Sequence, residues 1–197
     1  SEYLWDNMGR LISEKLPNGA EIGYMYDENG RLTEYQDPMG GKMKFLYDAN
    51  GNRIQTVNAV GNSRFYEYDA LNRLSGETDE DGNRTEYEYD ADGNLTGITD
   101  ALGNKRCMEY DGLGRKVRET NALGNSISYQ YDNLGKIVRI EDDAGKAVCY
   151  QYYPGGLLKQ VEYPDGRKVG FSYDGNQNVK EKWNERGYRL NYYYNEQ

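Results

Sequence analysis

An aromatic residue returns every 21 positions along this 197-residue chain, without one insertion: Trp5, Tyr26, Tyr47, Tyr68, Tyr89, Tyr110, Tyr131, Tyr152, Tyr173 and Tyr194. A glycine series is equally strict, running Gly19, Gly40, Gly61, Gly82, Gly103, Gly124, Gly145, Gly166 and Gly187. A second series, Gly9, Gly30, Gly51, Gly93, Gly114, Gly135 and Gly156, is interrupted by Asn72 and Gln177. Such self-similarity marks a chain built from one supersecondary unit stacked on copies of itself.

Each repeat carries one turn signal twice. Asp-x-x-Gly follows the aromatic residue, as in Asp27 to Gly30, Asp48 to Gly51, Asp90 to Gly93, Asp111 to Gly114 and Asp132 to Gly135, with Asp69 heading the copy that ends in Asn72. It returns ten residues later, as in Asp79 to Gly82, Asp100 to Gly103 and Asp142 to Gly145. Asp at the first position accepts bonds from the turn's own backbone, and Gly at the fourth supplies a left-handed conformation. Pro17, Pro38 and Pro164 fall at the second position, where a fixed φ suits a type I turn. A type I turn closed by a left-handed glycine is a hairpin loop with a bulge.

Only six or seven residues separate the turns, which is strand length and too short for a helix. They alternate: Thr85, Tyr87 and Tyr89 face one way, and Arg84, Glu86 and Glu88 the other. The same slots hold Ile127, Tyr129 and Tyr131, then Val148, Tyr150 and Tyr152. The sibling strand carries Leu32, Leu74, Leu95, Ile137 or Leu158 shortly after its glycine. The spacing therefore predicts an all-β fold in which each 21-mer is a β-hairpin with a tyrosine-rich face and a charged face. Nine repeats give about eighteen strands in one antiparallel meander, ~85 Å across at ~4.8 Å per strand. Sheets that wide curl, so a spiral or part of a hollow shell is expected, with the aromatic face needing cover.

Composition alone points elsewhere. Leu, Ile, Val and Phe make up about a sixth of the chain and the net charge is −9, which reads as disorder. The 21 tyrosines outweigh that signal, since each buries a ring while keeping its hydroxyl on a polar partner. An acidic chain is a poor match for nucleic acid, and no apolar run is long enough for membrane insertion by this segment. With no histidine, imidazole catalysis and His metal sites are excluded. The chain begins and ends inside a repeat, so residues 1–197 are read as a single array belonging to a longer protein.

The pattern Y-D-x-x-G-[RN]-L followed by T-D-A-x-G-N-x-x-x-Y-x-Y-D resembles the YD repeats of the RHS family, which includes bacterial Rhs polymorphic toxins, the C components of insecticidal toxin complexes, and the teneurins. Residues 68–132 carry it most closely, as in Tyr89-Asp90-Ala91-Asp92-Gly93-Asn94-Leu95-Thr96 and Thr99-Asp100-Ala101-Leu102-Gly103-Asn104. Tyr153 and Asn195 replace the aspartate and Gln177 the glycine, so those repeats are expected to turn differently. The resemblance implies a sheet that spirals into a hollow shell, enclosing a C-terminal toxic polypeptide in the toxins and serving as an extracellular adhesion scaffold in teneurins. It also implies a secreted or cell-surface location. Toxin shells carry a self-cleaving D-P-x-G-L-type segment, but Asp37-Pro38-Met39-Gly40 occupies the ordinary second-turn slot and repeats continue beyond it.

Other chemistry is weaker. Asp79-Glu80-Asp81-Gly82 and Asp90-Ala91-Asp92-Gly93 look like calcium loops but lack a suitably placed closing Glu, and the period is 21 rather than nine. Cys107 and Cys149 share a slot two repeats apart, about 19 Å across four strands, so free thiols are expected. Every acidic residue singled out is a turn or outer-face residue, so no catalytic group, metal or cofactor is assigned and no enzyme is expected. The site residues are the repeat signature itself: the tyrosines, aspartates and glycines of the two turns. The expected role is a structural shell segment whose partners are its own parent chain and an enclosed C-terminal toxin. An aromatic surface for glycan binding or cell adhesion is the alternative, and edge-to-edge self-association through "LNYYYNEQ" is a further expectation.

Overall fold

The computed structural model describes residues 1–194. Those residues form nineteen β-strands and no helix, so the fold is all-β. The first strands are β1 (Glu2–Trp5), β2 (Leu11–Lys15), β3 (Glu21–Tyr26), β4 (Leu32–Gln36), β5 (Lys42–Tyr47), β6 (Arg53–Val57), β7 (Ser63–Tyr68), β8 (Leu74–Thr78), β9 (Arg84–Tyr89) and β10 (Leu95–Thr99). They are followed by β11 (Lys105–Tyr110), β12 (Lys116–Thr120), β13 (Ser126–Tyr131), β14 (Ile137–Asp142), β15 (Ala147–Tyr152), β16 (Leu158–Glu162), β17 (Lys168–Tyr173), β18 (Val179–Asn184) and β19 (Arg189–Asn191).

The chain divides into two compact units, residues 1–89 with 97–104, and residues 90–96 with 105 onward. In the first, β1 to β9 pair in chain order, each antiparallel to the next. In the second, β11 to β19 do the same. Short loops dictate this meander, because a tight hairpin can only join antiparallel neighbours.

The two ladders of a repeat differ. Across the loop after the tyrosine, β3 and β4 pair Gly23 with Gln36, Tyr24 with Tyr35 and Met25 with Glu34, then slip so that Tyr26 meets Leu32. Thr33 is the extra residue, a bulge, and the same slip occurs wherever such a ladder is described. Across the other loop the ladder is regular but short: β4 and β5 stop after three pairs, Gln36 with Lys42, Tyr35 with Met43 and Glu34 with Lys44.

All the described loops close identically. The first residue donates its N–H to the fifth residue's carbonyl and accepts from the fourth residue's N–H, as Asp27 does with Arg31 (2.9 Å) and Gly30 (3.0 Å). Both glycine series sit at φ between +72° and +94°. The repeats expected to turn differently do not. Tyr153 and Asp174 head loops with these same two bonds, and Gln177 takes the left-handed position at φ 66°, as Asn72 does at 60°. Backbone bonds fix the turn, so a side chain at the fourth position adds strain without changing the geometry. Asn195 lies outside the described residues. Asp37-Pro38-Met39-Gly40 is one more loop of this kind.

No side chain is fully buried among the described residues, and Met108 and Val161 are the only buried apolar ones. Strand contacts within each unit run between sequence neighbours, so the tyrosine face is half-buried by its own rings rather than by a second layer.

Candidate functional site: the tyrosine face and its inter-repeat clips

The signature tyrosines share one bond. Each hydroxyl donates to the main-chain carbonyl fifteen residues earlier: Tyr26 to Leu11 (3.0 Å), Tyr47 to Leu32 (2.8 Å), Tyr68 to Arg53 (3.1 Å), Tyr89 to Leu74 (2.9 Å), Tyr110 to Leu95 (2.8 Å) and Tyr131 to Lys116 (2.6 Å). Tyr152, Tyr173 and Tyr194 repeat it on Ile137, Leu158 and Val179. The short regular ladder explains the need. With β4 and β5 unpaired beyond Glu34 and Lys44, the Leu32 carbonyl has no strand partner, and a half-buried carbonyl left open is unfavourable. Tyr47 reaches back and satisfies it. At Tyr68, Tyr152 and Tyr173, desolvation pushes the phenol above its usual value near 10.

The aspartate beside each tyrosine works locally. The Asp27 carboxylate accepts from the N–H groups of Asn29 (3.0 Å) and Arg31 (2.9 Å), and Asp69, Asp90, Asp111 and Asp132 do likewise. Asp48 takes the Asn52 N–H and side-chain amide. These donors hold Asp27 below the usual carboxylate range, chiefly through the Arg31 N–H, and hold Asp111 below it chiefly through the Arg115 side chain. In the second turns Asn58, Asn121 and Asn184 replace the aspartate with the same bonds.

The turn signals assign no role to the residue after the first-turn glycine, yet it is the most connected in the repeat. Arg31 bonds Asp27 Oδ2 through Nε (2.6 Å), stacks its guanidinium 4.9 Å from the centre of the next repeat's Tyr47 ring, and donates from Nη1 to the Asp48 carbonyl (3.0 Å). Arg10 makes the same three contacts with Asp6, Tyr26 and Asp27, and Arg115 with Asp111, Tyr131 and Asp132. Arg73 bonds Asp69 and stacks on Tyr89. Lys136 substitutes by donating to the Gly156 carbonyl and sitting over Tyr152; Asn52, Asn94 and Asn178 bond their own aspartate, and Asn52 also donates to Asn72 Oδ1 of the next repeat (2.8 Å). The usable sequence signal is an arginine at constant offset from the tyrosine.

The opposite face is polar. Arg84 lies over Gly76 to reach Glu67 (2.5 Å) two strands away while also bonding Glu86, and both carboxylates push its guanidinium pKa upward. Trp183 covers Gly170 so closely that a β-carbon there would stand 2.1 Å from the ring. Cys107 and Cys149 are both free, as expected. The signature groups lie in register along the strands and converge on carbonyls, turn N–H groups and one another, an arrangement that holds repeats together.

Residues 42–197 match the teneurin YD-shell family model, and residues 5–42 the RHS repeat model. No curated protein matches the sequence. Among solved structures, a chain of the Photorhabdus luminescens Tc holotoxin pore carrying a TccC3 mutation is similar over 96% of this chain, at 15% identity and a TM-score of 0.58. A chain of the TcdB2–TccC3 crystal structure is similar over 91%, at 16% identity and a TM-score of 0.56. These likenesses bear on the fold, and the chain spans only 14% and 13% of the two proteins' lengths. The arginine-clipped YD turns and the match over residues 42–197 lead to one conclusion: the chain belongs to the teneurin YD-shell family.

Proposed function

We propose that these repeats are a wall segment of a YD-repeat shell that encloses or presents a polypeptide, and that they have no catalysis of their own. In this reading residues 1–197 act as one array within a longer extracellular protein, and the signature residues serve cohesion. The observation that carries it is the commitment of the tyrosines. A ring whose hydroxyl is spent on a carbonyl and whose face carries an arginine, as at Tyr47 and Tyr131, is a load-sharing part of the wall. Family membership and a fold shared with chains of Tc toxin structures support the same role.

The test is limited proteolysis of the full-length protein in which these repeats occur. Polypeptide enclosed by the wall should resist cleavage while the array is intact. It should be cut faster, toward the rate of the free polypeptide, once Gly103→Val and Gly124→Val place β-branched residues in left-handed backbone and destabilise the array. Equal cleavage before and after would overturn the reading.

A further inference from the structure

We propose that the tyrosine face of the last repeats binds an extended, acidic polypeptide segment. The inference rests on the wall reading only in that it names what this stretch of the wall meets.

Charge is distributed unevenly between the two faces in residues 132–194. On the polar face the cations are matched: Arg139 with Glu141 (2.9 Å), Lys168 with Glu162 (3.1 Å) and Arg189 with Glu181 (2.7 Å). On the tyrosine face they are not. Lys136 has a carbonyl and the Tyr152 ring, Lys159 the Tyr153 ring at 5.9 Å, and Lys182 the Phe171 ring at 6.0 Å. Among the described residues none of these, nor Lys180, forms an ion pair with a carboxylate. Lys159, Lys180 and Lys182 are exposed.

Lys159 and Lys180 occupy equivalent slots, each the extra residue of its hairpin bulge. Each lines an open groove floored by tyrosines. One of about 520 Å³ has Lys136, Tyr150 and Tyr152 beside Lys159, and one of about 490 Å³ has Tyr173, Tyr192 and Tyr194 beside Lys180. The acidic groups at the groove ends, Asp132 and Asp174, are occupied by their own loops' N–H groups, and Asp174 feels the Lys180 charge without pairing with it. Earlier repeats lack this character: the equivalent slots hold Ile12, Thr33, Ile54 and Ser75, and the slot of Lys182 holds Glu14, Glu77 and Glu119.

Exposed lysines without carboxylates, set among rings in a protein of net charge −9, complement an anionic partner. Consecutive repeats lie two strands apart, about 10 Å, and an extended peptide covers about 10 Å in three residues. A polypeptide with a carboxylate at every third residue therefore presents charge at the spacing of Lys159 and Lys180, and its intervening residues meet the tyrosines.

The probe is a fluorescent peptide of Glu-Ser-Gly triplets titrated with the chain and followed by anisotropy. Saturable binding is expected, weakened about tenfold by the double variant Lys159→Gln, Lys180→Gln, the size of losing two charge-assisted contacts at a wet surface. Lys168→Gln with Arg189→Gln removes equal charge from the other face and should leave affinity unchanged. Thermal midpoints of both doubles exclude misfolding as the cause of a loss. Absence of saturable binding, or equal loss in both doubles, overturns the proposal. So does tighter, Lys159-dependent and Lys180-dependent binding of polygalacturonate, which would make the ligand a polysaccharide. Proteolysis of the full-length protein does not depend on these lysines, so failure here and failure of the wall reading are separate outcomes.

Discussion

The loops at Asp27–Gly30 and Asp37–Gly40 close on the same pair of backbone bonds, 2.9 and 3.0 Å in one and 2.8 and 3.0 Å in the other, with glycines at φ 81° and 86°. Their surroundings diverge. The first is followed by Arg31, which ties Asp27 to the ring of Tyr47 and the carbonyl of Asp48. The second is followed by Gly41, which donates its N–H to Asp37 and has no side chain to reach the next repeat. Turn formation is thus encoded twice per repeat, whereas the repeated tyrosine and arginine clips lie only on the rim that carries the tyrosine; the other rim has isolated contacts, Arg64 with Glu80 (3.0 Å) and the Lys168 N–H with Glu185 (2.8 Å). The residue heading the turn varies on both rims, to Tyr153 in the first series and to Asn58, Asn121 or Tyr163 in the second, while the aromatic spacing holds from Trp5 to Tyr194.

Alkali should separate the two rims most strongly, because the tyrosine hydroxyl bonds recur on one of them. The phenols of Tyr68, Tyr152 and Tyr173 are raised by burial above the value near 10 they have when unfolded. A raised group contributes stability that is fully present below the unfolded value and lost as pH climbs through the folded one. A phenolate also cannot donate to the Arg53, Ile137 or Leu158 carbonyls. Thermal midpoints should therefore hold to about pH 10 and fall above it, in step with ultraviolet titration of the phenols. A flat midpoint to about pH 11 would mean the hydroxyl bonds contribute nothing.

The loop glycines come next, and here the rims should behave alike. Gly30→Val and Gly40→Val each force a β-branched residue into left-handed backbone, a loss of roughly 2 kcal/mol. Gly112→Ala, in open space without a left-handed φ, should stay within about 0.5 kcal/mol. Denaturant midpoints check all three. Unequal losses for Gly30 and Gly40 would break the equivalence of the two loops.

The loops are legible in the sequence because Asp-x-x-Gly states its own geometry: donor, acceptor and left-handed residue lie within five positions. The clips are not. Tyr47 and Leu32 are fifteen residues apart and Arg31 and Asp48 seventeen, and their meeting depends on a strand register that the turn signals leave open. The bulge hides more, since a one-residue slip changes which face a side chain takes. Reading outward from Leu158, which pairs with Tyr152, simple alternation would put Lys159 opposite the tyrosines; the extra residue brings it into their groove. Gln177 misleads in the other direction, because losing a glycine looks like losing a turn that the backbone bonds alone preserve.

The smallest of these effects isolates the cohesive rim from the loop it borders. Tyr47→Phe keeps the ring under Arg31 and removes only the oxygen that meets the Leu32 carbonyl at 2.8 Å. A neutral hydrogen bond of this kind contributes about 1 kcal/mol net, and the carbonyl it leaves is half-buried at a place where the β4–β5 ladder has already ended. The expected loss is therefore about 1 kcal/mol by denaturant midpoint, with an unchanged denaturant slope because no loop is disturbed. Met39→Ser, at the 96% exposed tip of the neighbouring second turn, should change nothing measurable. If instead Tyr47→Phe is silent, water replaces the phenol at that carbonyl, and cohesion between repeats resides in the arginine contacts alone. If Met39→Ser proves the more damaging, the second rim contributes more to cohesion than the first, and the asymmetry between the two turns fails.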